Sequence, residues 1–143
     1  MKSTLLQEQG PRTWAIIFEP GDEVIAGLTA FAKEQGLDSS HLTAIGAFER
    51  ATLAYFDRER KEYQEIPIDE QVEVLTLAGD IAMKGDEPMV HAHVVVGRSD
   101  GTTRGGHLMQ ARVWPTLEVI LSETPGHLRR RHDEASGLAL ISL

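Results

Sequence analysis

From His41 onward the sequence alternates short runs of branched and aromatic residues with clusters of turn-forming residues, a rhythm suited to a sheet with tight connections. The runs are His41-Phe48, Ala51-Phe56, Tyr63-Ile68, Val72-Met83, Met89-Val96, His107-Val113, Leu117-Ser122 and Leu138-Ile141. Among the clusters between them are Lys84-Gly85-Asp86, Ser99-Asp100-Gly101 and Thr124-Pro125-Gly126. Strands joined this closely are antiparallel, because a parallel crossover needs about a dozen residues or more. An earlier strand is expected at Thr13-Phe18, ended by Pro20-Gly21. One helix is expected over about residues 22–35. Asp22 can cap it, Val24, Ile25, Leu28, Phe31 and Ala32 form its apolar face, and Gly36 suits the left-handed position that ends it. The expected fold class is α+β, a mostly antiparallel sheet or partly closed barrel carrying one main helix. With no repeat or linker-like stretch, residues 1–143 read as a single domain.

Composition narrows the function. The chain is 41% apolar and 25% charged, the balance of a globular protein. Its longest apolar runs, such as Ala15-Ile16-Ile17-Phe18, fall far short of the roughly 20 residues that span a bilayer. The first ten residues lack the pattern of a signal peptide, so a cytoplasmic location is expected. The formal net charge of -8 opposes attraction to DNA or anionic membranes. The basic run Arg129-Arg130-Arg131-His132 stands beside Asp133 and Glu134 and reads as a solvated connection. No cysteine is present, which leaves His, Asp and Glu as the strong metal ligands.

Met89-Val90-His91-Ala92-His93-Val94-Val95-Val96 is the segment with legible chemistry. A strand's period of two sets His91 and His93 on one face and Val90, Ala92, Val94 and Val96 on the other. The turn at Ser99-Asp100-Gly101 can return Gly105-Gly106-His107, the glycines permitting a close backbone approach and His107 facing the pair. Three imidazoles with an open fourth position suit a divalent transition metal, above all Zn²⁺. The alternative reading leaves His91 and His93 half-exposed and His107 satisfied by backbone hydrogen bonds. Glu118, sharing a strand face with Thr116 and Ile120, can orient a ligand or accept a histidine N–H, or can simply face solvent. Glu49 and Arg50 are weaker candidates of the same kind, and no nucleophile motif is present. Gly85 through His93 also matches the start of a cupin motif, but the glutamate and the second motif of that family are absent.

A collinear set of segments runs from about Trp14 to Glu123. It comprises Ala44-Ile45-Gly46-Ala47-Phe48, Ala51-Thr52-Leu53-Ala54-Tyr55-Phe56-Asp57, Glu73-Val74-Leu75-Thr76-Leu77-Ala78-Gly79, His91-Ala92-His93, Asp100-Gly101, Gly105-Gly106-His107-Leu108 and Leu117-Glu118-Val119. In this order they resemble the PPC domain, the plants and prokaryotes conserved domain, in its bacterial and archaeal single-domain form. The resemblance implies a compact α+β fold, a homotrimer, and a metal site at His91, His93 and His107. It also brings a DNA-binding label, inherited from plant members with AT-hook segments; the Arg-Gly-Arg-Pro core of an AT-hook is absent here. Three functions follow in order. The first is a module binding a small molecule or protein partner at its histidine site, the second an enzyme using metal-bound water, and the third a DNA-binding or transcription-associated protein.

Overall fold

The computed structural model describes residues 1–124 and 126–142. Among the described residues, nine strands and one helix follow in the order β1 (Lys2–Gln7), β2 (Thr13–Phe18), α1 (Val24–Gln35), β3 (Ser39–Asp57), β4 (Glu62–Ile68), β5 (Val72–Lys84), β6 (Glu87–Gly97), β7 (Thr103–Glu123), β8 (Arg129–His132) and β9 (Ala139–Ser142). The α+β expectation holds, as do the strand at residues 13–18 and the Gly36 helix end, where φ is 64°. Of the turn expected at Thr124-Pro125-Gly126, Pro125 lies outside the described residues.

All strands belong to one sheet in the order β1-β2-β7-β3-β5-β8-β9, with β4 added beside β3. Strand β6 pairs with both β5 and β7, which closes β3, β5, β6 and β7 into a ring while the rest of the sheet stays open. Closure follows from the length of β3 and β7, which pair along most of their course and bend through several register shifts. The sequence suggests a break in each, at Glu49-Arg50 and at Trp114-Pro115-Thr116. The structure carries β3 and β7 through both places as continuous strands, and the ladder absorbs the interruptions as bulges: Gly46 pairs with Leu117 and Phe48 with Val113, so Trp114, Pro115 and Thr116, all exposed or half-exposed, loop out opposite Ala47.

Inside the ring the core is aliphatic, with Leu42, Leu53, Leu77, Ile81, Val94, Val96, Leu108, Leu117 and Leu121 all 2% exposed or less. The helix adds Val24, Leu28, Phe31 and Ala32 to the same core. Its cap is not Asp22. That carboxylate accepts the Glu19 N–H and holds the N-terminal amine at 2.6 Å, so the preceding turn uses it. Glu23 caps instead, one oxygen accepting the Ala26 N–H at 2.6 Å and the other the Ala111 N–H on β7 at 3.0 Å. The cap thereby ties helix to sheet.

The basic run is also placed differently from the expectation. Arg129–His132 forms β8, which pairs in parallel with the end of β5 and antiparallel with β9. Arg130 is only 8% exposed. A guanidinium is rarely buried without a partner, and this one donates through Nη2 to the Asp80 carboxylate and through Nη1 to the Ala139 carbonyl.

Candidate metal centre

His93 and His107 are direct register partners across β6 and β7, and His91 lies two residues from His93 on the same face. The core side of β6 carries Val90, Ala92, Val94 and Val96, all buried, so the pleat turns the histidines outward. The three rings form a triangle with centroid separations of 5.1, 5.2 and 5.5 Å. One donor nitrogen from each can be chosen so that all lie within 4.8 Å of one another. His91 and His107 are half-buried and His93 is exposed, giving the cluster one open side.

Two close backbone approaches shape this floor. A Cβ on Gly106 would come within 2.6 Å of the Ala54 carbonyl oxygen, so only glycine allows β7 to lie against β3 beside His107. A Cβ on Gly79 would collide with the His91 carbonyl oxygen in the same way. Gly105 has more room, its nearest such contact being 3.3 Å from the Val94 carbonyl oxygen.

Asp80 is the register partner of His91 on β5, and its Oδ2 lies 3.6 Å from His91 Nδ1, an electrostatic contact too long for a hydrogen bond. Its other oxygen accepts from Arg130. Burial pushes the Asp80 carboxyl up, but His91 and Arg130 outweigh it, and its pKa lies below the usual value. Burial, reinforced by the neighbouring His91, lowers the pKa of His93. Burial first, then His91, His93 and Arg130, bring His107 down to about 4. Near neutral pH both His93 and His107 are therefore unprotonated and have lone pairs available. His107 Nδ1 is buried with no hydrogen-bond partner, and Tyr63 stacks on the ring at 4.8 Å. Three imidazoles on one face, two of them unprotonated near neutral pH, with one side open and one buried nitrogen unsatisfied by protein, fit a divalent transition metal.

Above this floor is a cavity of about 530 Å³. Tyr55 and Phe56 of β3, Tyr63 of β4, Met89 of β6, and Leu138 and Leu140 near and on β9 supply its apolar wall. Asp80, Arg130 and Tyr63 carry no metal-ligand motif in the sequence. The one available signal was the alternation that puts Asp80 on the outward face of β5.

The other candidates lie elsewhere. Glu118 pairs with Ile17 and Ile45, and lines a surface depression with Ile45, Gly46, Glu73, Val74 and Leu75. Arg50 lines a different, polar depression with Glu23, Asp69 and Arg112. Glu49 is exposed on β3. None of the three shares the lining of the histidine cavity.

Comparison with known proteins agrees with this architecture. A plant- and prokaryote-conserved protein of Pyrococcus horikoshii has a TM-score of 0.88 at 30% identity, covering 96% of this chain and 98% of that one. A protein of Archaeoglobus fulgidus described as metal-containing has a TM-score of 0.87 at 34% identity, with all of both chains covered. A Bacteroides thetaiotaomicron protein described as a candidate DNA-binding protein has a TM-score of 0.88 at 27% identity, covering 98% of this chain and 96% of that one. Among curated proteins, the bifunctional protein GlmU of Synechococcus sp. (strain JA-3-3Ab) is 30% identical over 129 residues. These are 88% of this chain, which spans about a fifth (20%) of the length of that relative. The model of the Plants and Prokaryotes Conserved (PCC) domain matches residues 6–125. With that match over most of its length, the chain belongs to the Plants and Prokaryotes Conserved domain family.

Proposed function

We propose that the protein is a trimeric metal-binding module, holding one divalent transition metal, Zn²⁺ in the first instance, through His91, His93 and His107, and receiving a small molecule or partner group at the open side. The observation that carries this is the outward triangle of three imidazoles, two of them held neutral by burial, beneath a cavity of about 530 Å³. Asp80 Oδ2 stands 3.6 Å from His91 Nδ1, behind the ring and short of a hydrogen bond, which favours Nε2 as the donor atom. The metal-containing relative from Archaeoglobus fulgidus supports the same reading.

When bound, the metal would supply a Lewis acid and a site for water or an anionic ligand. Binding is favoured over hydrolysis because no carboxylate lines the cavity among the described residues, so no general base stands beside the open side. DNA binding is disfavoured by the net charge of -8 and by the burial of Arg130 against Asp80, which withdraws the middle of the one basic run.

Self-association is supported by exposed apolar residues on the outer face. Ile17 and Ile45 both lie opposite Glu118, Ile120 follows on the same face, and the four-residue set is completed by Leu75 at 52% exposure beside Ile45. The number three is the expectation carried by the family resemblance. Light scattering should return about three times the chain mass of 15.8 kDa, and a monomer at micromolar concentration would remove the trimer from the proposal.

The decisive test is metal analysis on untagged protein after zinc exposure and dialysis. One metal per chain is expected, falling to near none for His91→Ala, His93→Ala or His107→Ala while the fold persists. A metal-free wild type, or full stoichiometry in all three variants, would refute the site.

A further inference from the structure

We infer that the cavity over the histidines takes a small monocarboxylate with an aromatic or branched apolar body, its carboxylate at the open side of the metal and its body against the wall made by β3, β4 and the β8–β9 hairpin. This deepens the proposed function and rests on its metal.

The sign of charge in the cavity is the first argument. No lining residue is acidic among the described residues, and the charged side chain in the lining is Arg130. Asp80 does not line the cavity. It stands behind the floor with its two oxygens turned to Arg130 and His91. A divalent cation held by neutral imidazoles keeps its positive charge, so an anion is attracted and an amine repelled.

The wall supplies the second argument. Tyr55, Phe56, Tyr63, Met89, Leu138 and Leu140 present aromatic and aliphatic surface, with Phe56 and Tyr63 edge to face at 5.2 Å. The volume is in the range of small-molecule sites, about 300–1,000 Å³. A bare inorganic anion would leave this wall uncovered. A phosphate group calls for several donors around its oxygens, as at a helix terminus or an arginine fork. Here the guanidinium has two of its nitrogens committed to Asp80 and Ala139, and its buried Nε has no acceptor. A carboxylate on a metal needs fewer donors, and an apolar body answers the wall.

The test uses the full chain loaded with cobalt(II), whose visible absorption reports changes at the metal, and measures metal content before any titration. Benzoate, benzyl alcohol, benzylamine and acetate are then titrated in parallel. Benzoate is expected to change the spectrum and to bind at least about tenfold more tightly than each of the other three. Leu140→Asp, at a wall position 43% exposed, should weaken benzoate by about tenfold without changing metal content, whereas Leu140→Met should retain it. Absence of metal uptake would overturn the proposed metal centre and this inference with it. Full metal content with no preference for benzoate would overturn the inference alone, as would benzoate binding unaffected by Leu140→Asp. The comparison of the four probes on wild-type protein decides the matter even if that variant does not fold.

Discussion

Two hairpins meet at the histidine cluster, and they are held to the molecule by different forces. The β6–β7 hairpin buries its inner side completely, with Val94, Val96 and Leu108 at 2% exposure or less, and its ladder runs from His93↔His107 to Gly97↔Thr103. The β8–β9 hairpin has one buried residue among those described, Arg130, and joins β5 at Met83↔Arg129 and Lys84↔Arg130. The first takes its geometry from the core. The second is fastened by a polar anchor, Arg130 on Asp80, so it forms the cover while the histidine floor belongs to the closed ring. Site precision and site access are thus assigned to separate segments.

Breaking the floor should have the largest effect. Leu108 follows His107 and points into the ring, so Leu108→Ala should cost about 2–5 kcal/mol of stability in denaturant unfolding, through lost burial and a residual cavity. A loss below about 1 kcal/mol would mean that the floor is not core-supported.

The cover should respond less, and locally. Arg130→Met removes the guanidinium and leaves the partly buried Asp80 carboxylate without its partner, an expected cost of about 1–3 kcal/mol, nearer the low end because Asp80 still reaches water. Amide hydrogen exchange should accelerate over residues 129–142 while β6 and β7 stay protected. Equal acceleration in both hairpins would contradict the division between floor and cover.

The smallest effect concerns protons on the floor. His107 has a folded pKa of about 4 and His93 is also lowered, so protons prefer the unfolded chain, whose histidines titrate near about 6.5. The histidine contribution to metal-free stability is therefore fully present above that pH and is lost as pH falls from about 6.5 towards 4. Melting temperatures of metal-free wild type and His107→Gln, compared between neutral pH and the lower part of this window, should converge as the pH drops. A constant difference would show that His107 is not desolvated. For metal binding the same shift means that proton competition at His107 begins at lower pH than for a free imidazole.

The β6–β7 hairpin was readable because local rules determine it. Alternation along Met89-Val96 separates the histidines from the valines, Ser99-Asp100-Gly101 makes the turn, and Gly106 meets a steric demand that no other residue can satisfy. Strand β1 has no such local signal. Its residues are all exposed and carry no pattern of burial, and its place comes from pairing with β2. The sequence points to Asp22 as the helix cap for a similar reason: two adjacent acids can cap, and contacts with the N-terminal amine and with Ala111 on β7 decide for Glu23.

By itself, then, the sequence determined which residues face the core, where the chain turns, and that His91, His93 and His107 share a surface, because strand period and turn chemistry act over a few neighbours. Long-range packing settles that Arg130 is a buried anchor on Asp80 rather than part of a solvated run, and that Tyr63 and Leu140 wall the same cavity. Asp80 and Arg130 are 50 positions apart. The Arg130 and Leu140 placements arise from the docking of β8 on β5, which no local propensity encodes, whereas Asp80 reaches His91 through the register of the β5–β6 hairpin.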